Sequence, residues 1–198
     1  MRYPANLTSE HSIRPLRIMS LHLILGGARS GKSRLAEDRA RASGYPVTVI
    51  ATARTLDLEM LRRVERHKLD RPSHWNTVEE PVELARALRQ HAGTERFVVV
   101  DCLTLWLANL LDGAESLPEA TGAEALPRFV REHDALLATL PELDGEVVLV
   151  ANEIGLGLVP ETPLGRVFRD TAGRLNQAVA RIADSVHFVA AGLPLRLK

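Results

Sequence analysis

The segment Gly26-Gly27-Ala28-Arg29-Ser30-Gly31-Lys32-Ser33 constrains this chain more than any other. It fits G-x-x-x-x-G-K-[ST], follows the apolar run Leu21–Leu25 and opens a helical stretch, Lys32–Ser43, closed by Gly44. In that context the glycines let successive backbone N–H groups turn inward around phosphates, and the helix N-terminus adds partial positive charge. Lys32 supplies a point charge for the outer phosphates, and the Ser33 hydroxyl is placed to ligate Mg²⁺. The same context excludes a secretory signal: Arg14 and Arg17 before Leu21–Leu25 mimic one, but cleavage there would destroy the loop.

A strand–loop–helix start implies further β–α units, and the pattern alternates accordingly. Strands are expected at Val47–Ala51, Phe97–Val100, Val147–Val150 and Val186–Ala190, with Leu195–Lys198 as one more. Helices are expected at Leu56–Leu69, Pro81–His91, Leu103–Leu111, within Ala123–Leu140 and at Leu164–Ala183. Several strands are apolar throughout, as burial on both faces of a parallel sheet requires. One α/β domain over 21–198 follows, with a mainly parallel sheet. Residues 1–20, aperiodic and mixed in Pro, Asn, Ser and Arg, are expected to be a disordered extension.

A partner carboxylate for the Mg²⁺ should end another buried strand, and Phe97-Val98-Val99-Val100-Asp101 supplies it. Equal numbers of basic and acidic residues, 25 of each, argue against bulk attraction to nucleic acid. The neutral total nevertheless conceals a basic centre, with five basic residues against two acidic from Arg29 to Arg41. No apolar stretch is long enough for stable membrane insertion, and the single cysteine, Cys102, points to a reducing cytoplasm. No guanine-reading Asn-Lys-x-Asp accompanies the loop, so a regulatory GTPase is disfavoured and a small phosphotransferase remains. His67 has two readings. It shares a helical face with Leu56, Met60 and Val64, as a core-edge histidine would, yet Arg66, Lys68 and Arg71 surround it with cations that favour a neutral, nucleophilic imidazole.

The ordered series GGARSGKS, Ala51-Thr52-Ala53, Glu59-Met60, Arg63, His67-Lys68, Arg71-Pro72, His74-Trp75 and Thr77-x-Glu79 is joined by Asp101-Cys102-Leu103-Thr104 and Asn109-Leu110-Leu111. Asn152-Glu153-Ile154-Gly155-x-Gly157-x-Val159-Pro160, Arg166-x-Phe168-Arg169-Asp170, Gly173-x-x-Asn176-Gln177, Ala183-Asp184 and the terminal Gly192…Lys198 complete it. Over residues 21–198 this resembles the bifunctional adenosylcobinamide kinase and adenosylcobinamide-phosphate guanylyltransferase family of cobalamin biosynthesis. The resemblance implies a P-loop NTPase (RecA-like) three-layer fold and a homotrimer. It also implies two reactions: ATP or GTP phosphorylates adenosylcobinamide, then GTP guanylylates a histidine that passes GMP to adenosylcobinamide phosphate. His67 matches that histidine, and Arg66 stands where relatives often carry a second one. Nucleotide-binding positions map onto Gly26–Ser33, Ala51, Thr52, Ala53, Asp70, Arg71, Pro72, Ser73, Glu79 and Asp101, where some relatives carry Glu. The rival reading is a small-molecule kinase without the guanylyl step.

Overall fold

The computed structural model describes residues 19–54, 71–113 and 122–198. Seven strands form one sheet: β1 (Met19–Gly26), β2 (Val47–Ala51), β3 (Asn76–Glu79), β4 (Phe97–Asp101), β5 (Gly145–Asn152), β6 (Ser185–Ala190) and β7 (Leu193–Arg196). Their order is β3-β2-β4-β5-β1-β6-β7, parallel throughout except for the antiparallel β6–β7 pair. The helices are α1 (Lys32–Ser43), α2 (Leu84–His91), α3 (Leu103–Leu110), α4 (Pro127–Thr139) and α5 (Pro163–Ile182).

The apolar runs Leu21–Leu25, Phe97–Val100 and Val147–Val150 became the three central strands because both faces of each are covered. On one face Leu21, Leu23, Val98, Val100, Val147 and Leu149 pack against α2, α3, α4 and α5. On the other, Ile24, Val49, Val99, Val148 and Val150 pack beneath α1 through Ala36 and Ala40. Truncating any of these fully buried Leu or Val side chains to Ala costs about 2–5 kcal/mol for the leucines and less for the valines. Trp106, fully buried on α3, donates Nε1–H to the Val82 carbonyl at 2.7 Å, which removes the cost of hiding its polar edge.

Several elements differ from expectation. β5 runs over Gly145–Asn152 rather than Val147–Val150. β7 runs over Leu193–Arg196 rather than Leu195–Lys198, because the antiparallel pairing with β6 places Leu193 opposite Ala190. β3, Asn76-Thr77-Val78-Glu79, is an edge strand with no fully buried residue, so it lacks the apolar signature of the inner strands. The helix expected from Pro81 begins at Leu84, because Glu80 Oε1 accepts from the Val82 and Glu83 N–H groups and holds a turn before it. β1 starts at Met19, two residues earlier than the apolar run, through its pairing with Gly145 and Glu146 of β5. The expected helix Leu56–Leu69, most of the loop 112–122 and residues 1–18 lie outside the described residues.

Candidate functional site

Parallel register brings the carboxyl ends of six strands to one edge. Ala51 pairs with both Glu79 and Asp101, Asp101 with Val150, and Gly26 with Asn152 and Val189. Ligands of open parallel sheets bind along such an edge. Here the chain passes directly from Gly26 into the phosphate loop and from Asp101 into α3.

The loop turns on two left-handed residues, Arg29 at φ 56° and Gly31 at φ 99°. Gly31 is also the N-cap of α1, and no side chain caps that terminus. Its first N–H groups therefore remain available to an anion, which is the arrangement the loop motif predicts. Lys32 is buried, and its Nζ donates to the Gly27 carbonyl at 2.9 Å across the loop. The Ser30 hydroxyl, also buried, has no hydrogen-bond partner among the described residues. A side chain at Gly26 is excluded: its Cβ would lie 2.5 Å from both Ser30 Oγ and the Val189 carbonyl. The β6–β7 turn supports the loop from behind, with Gly192 N–H donating to Ser30 O at 2.8 Å.

Ser33 shares one cavity with Glu37, Arg71 and Asp101 over an apolar floor of Val49, Val99 and Val150. Arg71 Nη2 donates to Asp101 Oδ2 at 3.0 Å, while Arg71 Nε lies 3.8 Å from Glu37 Oε1. The Ser33 hydroxyl and the Asp101 carboxylate across one hole are hard oxygen donors of the kind Mg²⁺ selects, so these residues fit that ion, while Glu37 faces Arg71. Glu37 escaped attention in the sequence, although its spacing of four from Ser33 places it on the same face of α1.

The remaining expected positions divide. Thr52, fully buried, uses its hydroxyl within the protein: Oγ1 donates to Cys102 O at 2.7 Å and accepts from Cys102 N–H at 2.9 Å. Its backbone N–H donates to Asp101 O, and Asn109 Nδ2 donates to its carbonyl. Thr52 thus staples the end of β2 to the end of β4 and holds Asp101 in place. Ala51 ends β2, Ala53 is half-buried beside it, and Glu79 ends the adjacent edge strand. Pro72 accepts from Trp75 N–H in an exposed turn that contains Ser73, and Arg41 lies over the Trp75 ring at 5.6 Å. Ala28 and Arg29 are exposed at the loop tip. His67 and Asp70 lie outside the described residues. Cys102 is buried, and burial followed by the Asp101 charge pushes its thiol up, which suits packing rather than chemistry.

Between β5 and α5, Glu153 N–H donates to Gly26 O at 3.0 Å, and Asn152 N–H donates to Thr104 Oγ1 at 2.7 Å. The loop that follows is therefore tied to the phosphate loop at its start and by Arg166, on the Pro160 and Glu161 carbonyls, at its end. Between these ties Leu156 and Leu158 are 80% and 96% exposed.

Among the described residues no helix is long and apolar enough to cross a membrane. The sheet, the phosphate loop and its helix make this a P-loop NTPase-like fold. An ATPase of the type III secretion system of pathogenic bacteria shares it, with a TM-score of 0.53, 14% identity, and coverage of 89% of this chain and 57% of that one. The ATP synthase subunit NeqB from Nanoarcheaum equitans does so with a TM-score of 0.50, 12% identity, and coverage of 86% and 45%. Much nearer in sequence is the bifunctional adenosylcobalamin biosynthesis protein CobP of Pseudomonas aeruginosa, 51% identical over 176 residues, which are 89% of this chain and 96% of that protein. Proteins of the same description named CobU, from Escherichia coli K12 and Salmonella typhimurium, are 40% and 41% identical, over 89% of this chain and 98% of each. The family profile described as cobinamide kinase / cobinamide phosphate guanyltransferase matches residues 22–197. The chain therefore belongs to the cobinamide kinase / cobinamide phosphate guanyltransferase family.

Proposed function

We propose that this protein phosphorylates adenosylcobinamide with ATP or GTP and then joins GMP to the product, giving adenosylcobinamide-GDP. The observation that carries the reading is the convergence of the Gly26–Ser33 loop, Arg71 and Asp101 on one edge of the sheet. In the first reaction the substrate hydroxyl attacks the γ-phosphorus, the bond to the β-phosphate oxygen breaks, and the hydroxyl proton is lost. The loop N–H groups and Lys32 hold the charge that shifts onto the leaving diphosphate. Mg²⁺, held by Ser33 and Asp101, would neutralise phosphate charge when bound.

In the second reaction neutral His67 attacks the α-phosphorus of GTP, a P–N bond forms and pyrophosphate leaves. A phosphate oxygen of adenosylcobinamide phosphate then displaces the imidazole and takes GMP. Chain geometry supports this assignment, because four residues span at most about 14 Å, which keeps His67 within reach of the Arg71 cavity. Glu79, ending β3 beside Ala51, is the proposed acceptor for guanine N–H groups or a ribose hydroxyl. The exposed Leu156 and Leu158 offer an apolar surface to the corrinoid beside the phosphate loop.

A homotrimer is proposed from the family resemblance. The uncovered leucines 193, 195 and 197 on and just beyond edge strand β7 support association, and light scattering after gel filtration tests it. A cytoplasmic location accords with the one buried, unpaired cysteine.

Incubation with GTP and Mg²⁺ should leave an acid-labile GMP adduct that maps to the peptide containing His67. If His67→Ala retains the adduct, the nucleophile is another residue. Kinase turnover with no adduct under any condition would select a simple kinase instead.

A further inference from the structure

Arg71 is held on two sides by unequal contacts. Its side chain is 6% exposed; Nη2 makes a charge-assisted hydrogen bond to Asp101 Oδ2 at 3.0 Å. Its Nε–H, fully buried, has no hydrogen-bond acceptor among the described residues. Glu37 Oε1 lies 3.8 Å from it, close enough for charge attraction but too far for a hydrogen bond. Glu37 is itself fixed from the other side, where its Oε2 meets Arg41 Nη2 at 3.4 Å. A displacement of the guanidinium by about 1 Å toward Glu37 would pair the orphaned Nε–H while loosening the bond to Asp101.

Asp101 has a second claim on it. As the carboxylate opposite Ser33, it is a ligand for the cation that accompanies a nucleotide, and a guanidinium and a divalent cation on one carboxylate repel. Resting on the nucleotide-site reading above, we propose that Arg71 exchanges partners. It leaves Asp101 for the nucleotide phosphates, and Glu37 is the positioning residue that keeps it in the cavity through the exchange. Glu37 then contributes to triphosphate affinity without touching the triphosphate.

The test is a double-mutant cycle on the full chain, read as the dissociation constant of a fluorescent GTP analogue in Mg²⁺ and again in EDTA. In Mg²⁺, Arg71→Ala should weaken binding about 10- to 100-fold, the range for losing a hydrogen bond to a charged group. Glu37→Gln should weaken it about 5- to 20-fold, but by less than about 2-fold when Arg71 is already Ala, because Glu37 acts through Arg71. In EDTA, where Asp101 keeps its arginine, the Glu37→Gln effect should shrink below about 3-fold. Glu37→Asp, which keeps the charge but shortens the reach, should fall between wild type and Glu37→Gln. It replaces Glu37→Gln in the cycle if that variant fails to fold by circular dichroism. Equal losses from Glu37→Gln in the wild-type and Arg71→Ala backgrounds would overturn the proposal, as would an undiminished loss in EDTA. Because the assay reads binding alone, failure of the His67 adduct leaves it intact, whereas wild-type protein that binds no nucleotide overturns both readings.

Discussion

Replacing Thr52 by Val removes one oxygen and leaves the side-chain shape almost unchanged, so the cost of the substitution isolates the staple between β2 and β4. In the wild type the hydroxyl donates to Cys102 O at 2.7 Å and accepts from Cys102 N–H at 2.9 Å, at a fully buried position. Valine leaves that N–H without its acceptor, an orphaned buried group that costs about 1–3 kcal/mol. It also removes one of two bonds to the carbonyl, which keeps the Trp106 N–H at 3.1 Å, for about 1 kcal/mol more. The new methyl must also back away from both polar atoms, since carbon does not approach nitrogen or oxygen that closely. The expected loss is about 2–4 kcal/mol, read as a lower urea midpoint at unchanged slope and a melting temperature lower by roughly 4–15 °C. Thr139→Val is the control. Thr139 is equally buried, but its hydroxyl only adds a bond to the Ala135 carbonyl, which already belongs to the α4 ladder. That variant should lose about 1 kcal/mol or less. Thr52→Ser, which keeps the hydroxyl, should recover most of the stability. Equal destabilisation by the two Thr→Val changes would refute the argument that the orphaned Cys102 N–H, rather than a generic dislike of substitution, sets the cost.

Gly31→Ala should cost about 1–2 kcal/mol in urea unfolding, because residue 31 sits at φ 99° and the added Cβ would lie 3.1 Å from Gly192 Cα. Lys198→Ala should lower stability by about 1 kcal/mol in the same assay, since Nζ donates to the Ala180, Arg181 and Ala183 carbonyls at the end of α5. Acid should destabilise the fold through His22 and His187. Both are held below the ordinary histidine value of 6.5, first by burial and next by the Arg39 charge. Asp184 partly opposes this at His22, Arg196 adds to it at His187, and Glu146 faces Arg39. Below about pH 6.5 the unfolded chain binds protons that the native state refuses, so stability present above that pH is lost as pH falls toward the lowered native values. The melting temperature should therefore drop from pH 8 to pH 5.5, and the His22→Gln/His187→Gln variant should flatten that dependence.

Local chemistry made the phosphate loop legible in the linear chain. Glycines, Lys32 and Ser33 act within eight residues, and the strand and helix on either side are short-range patterns. The inner strands were legible for a related reason: a segment buried on both faces must be apolar at every position, as Phe97–Val100 and Val147–Val150 are. Asp101 could be singled out because it ends such a segment. Edge strand β3 carries no comparable mark, since a strand paired on one side tolerates Asn, Thr and Glu. Only the tertiary structure decided that Thr52 spends its hydroxyl on Cys102, 50 residues away, rather than facing a ligand. The same holds for Arg71 meeting Asp101 and Glu37, and for Gly192 packing against Gly31. These contacts join residues 30 to about 160 positions apart, and strand order and register set them. The phosphate loop follows from local sequence, whereas the carboxylate–arginine cavity beneath it exists only because β4 lies two strands from β1 with its carboxyl end at the same edge.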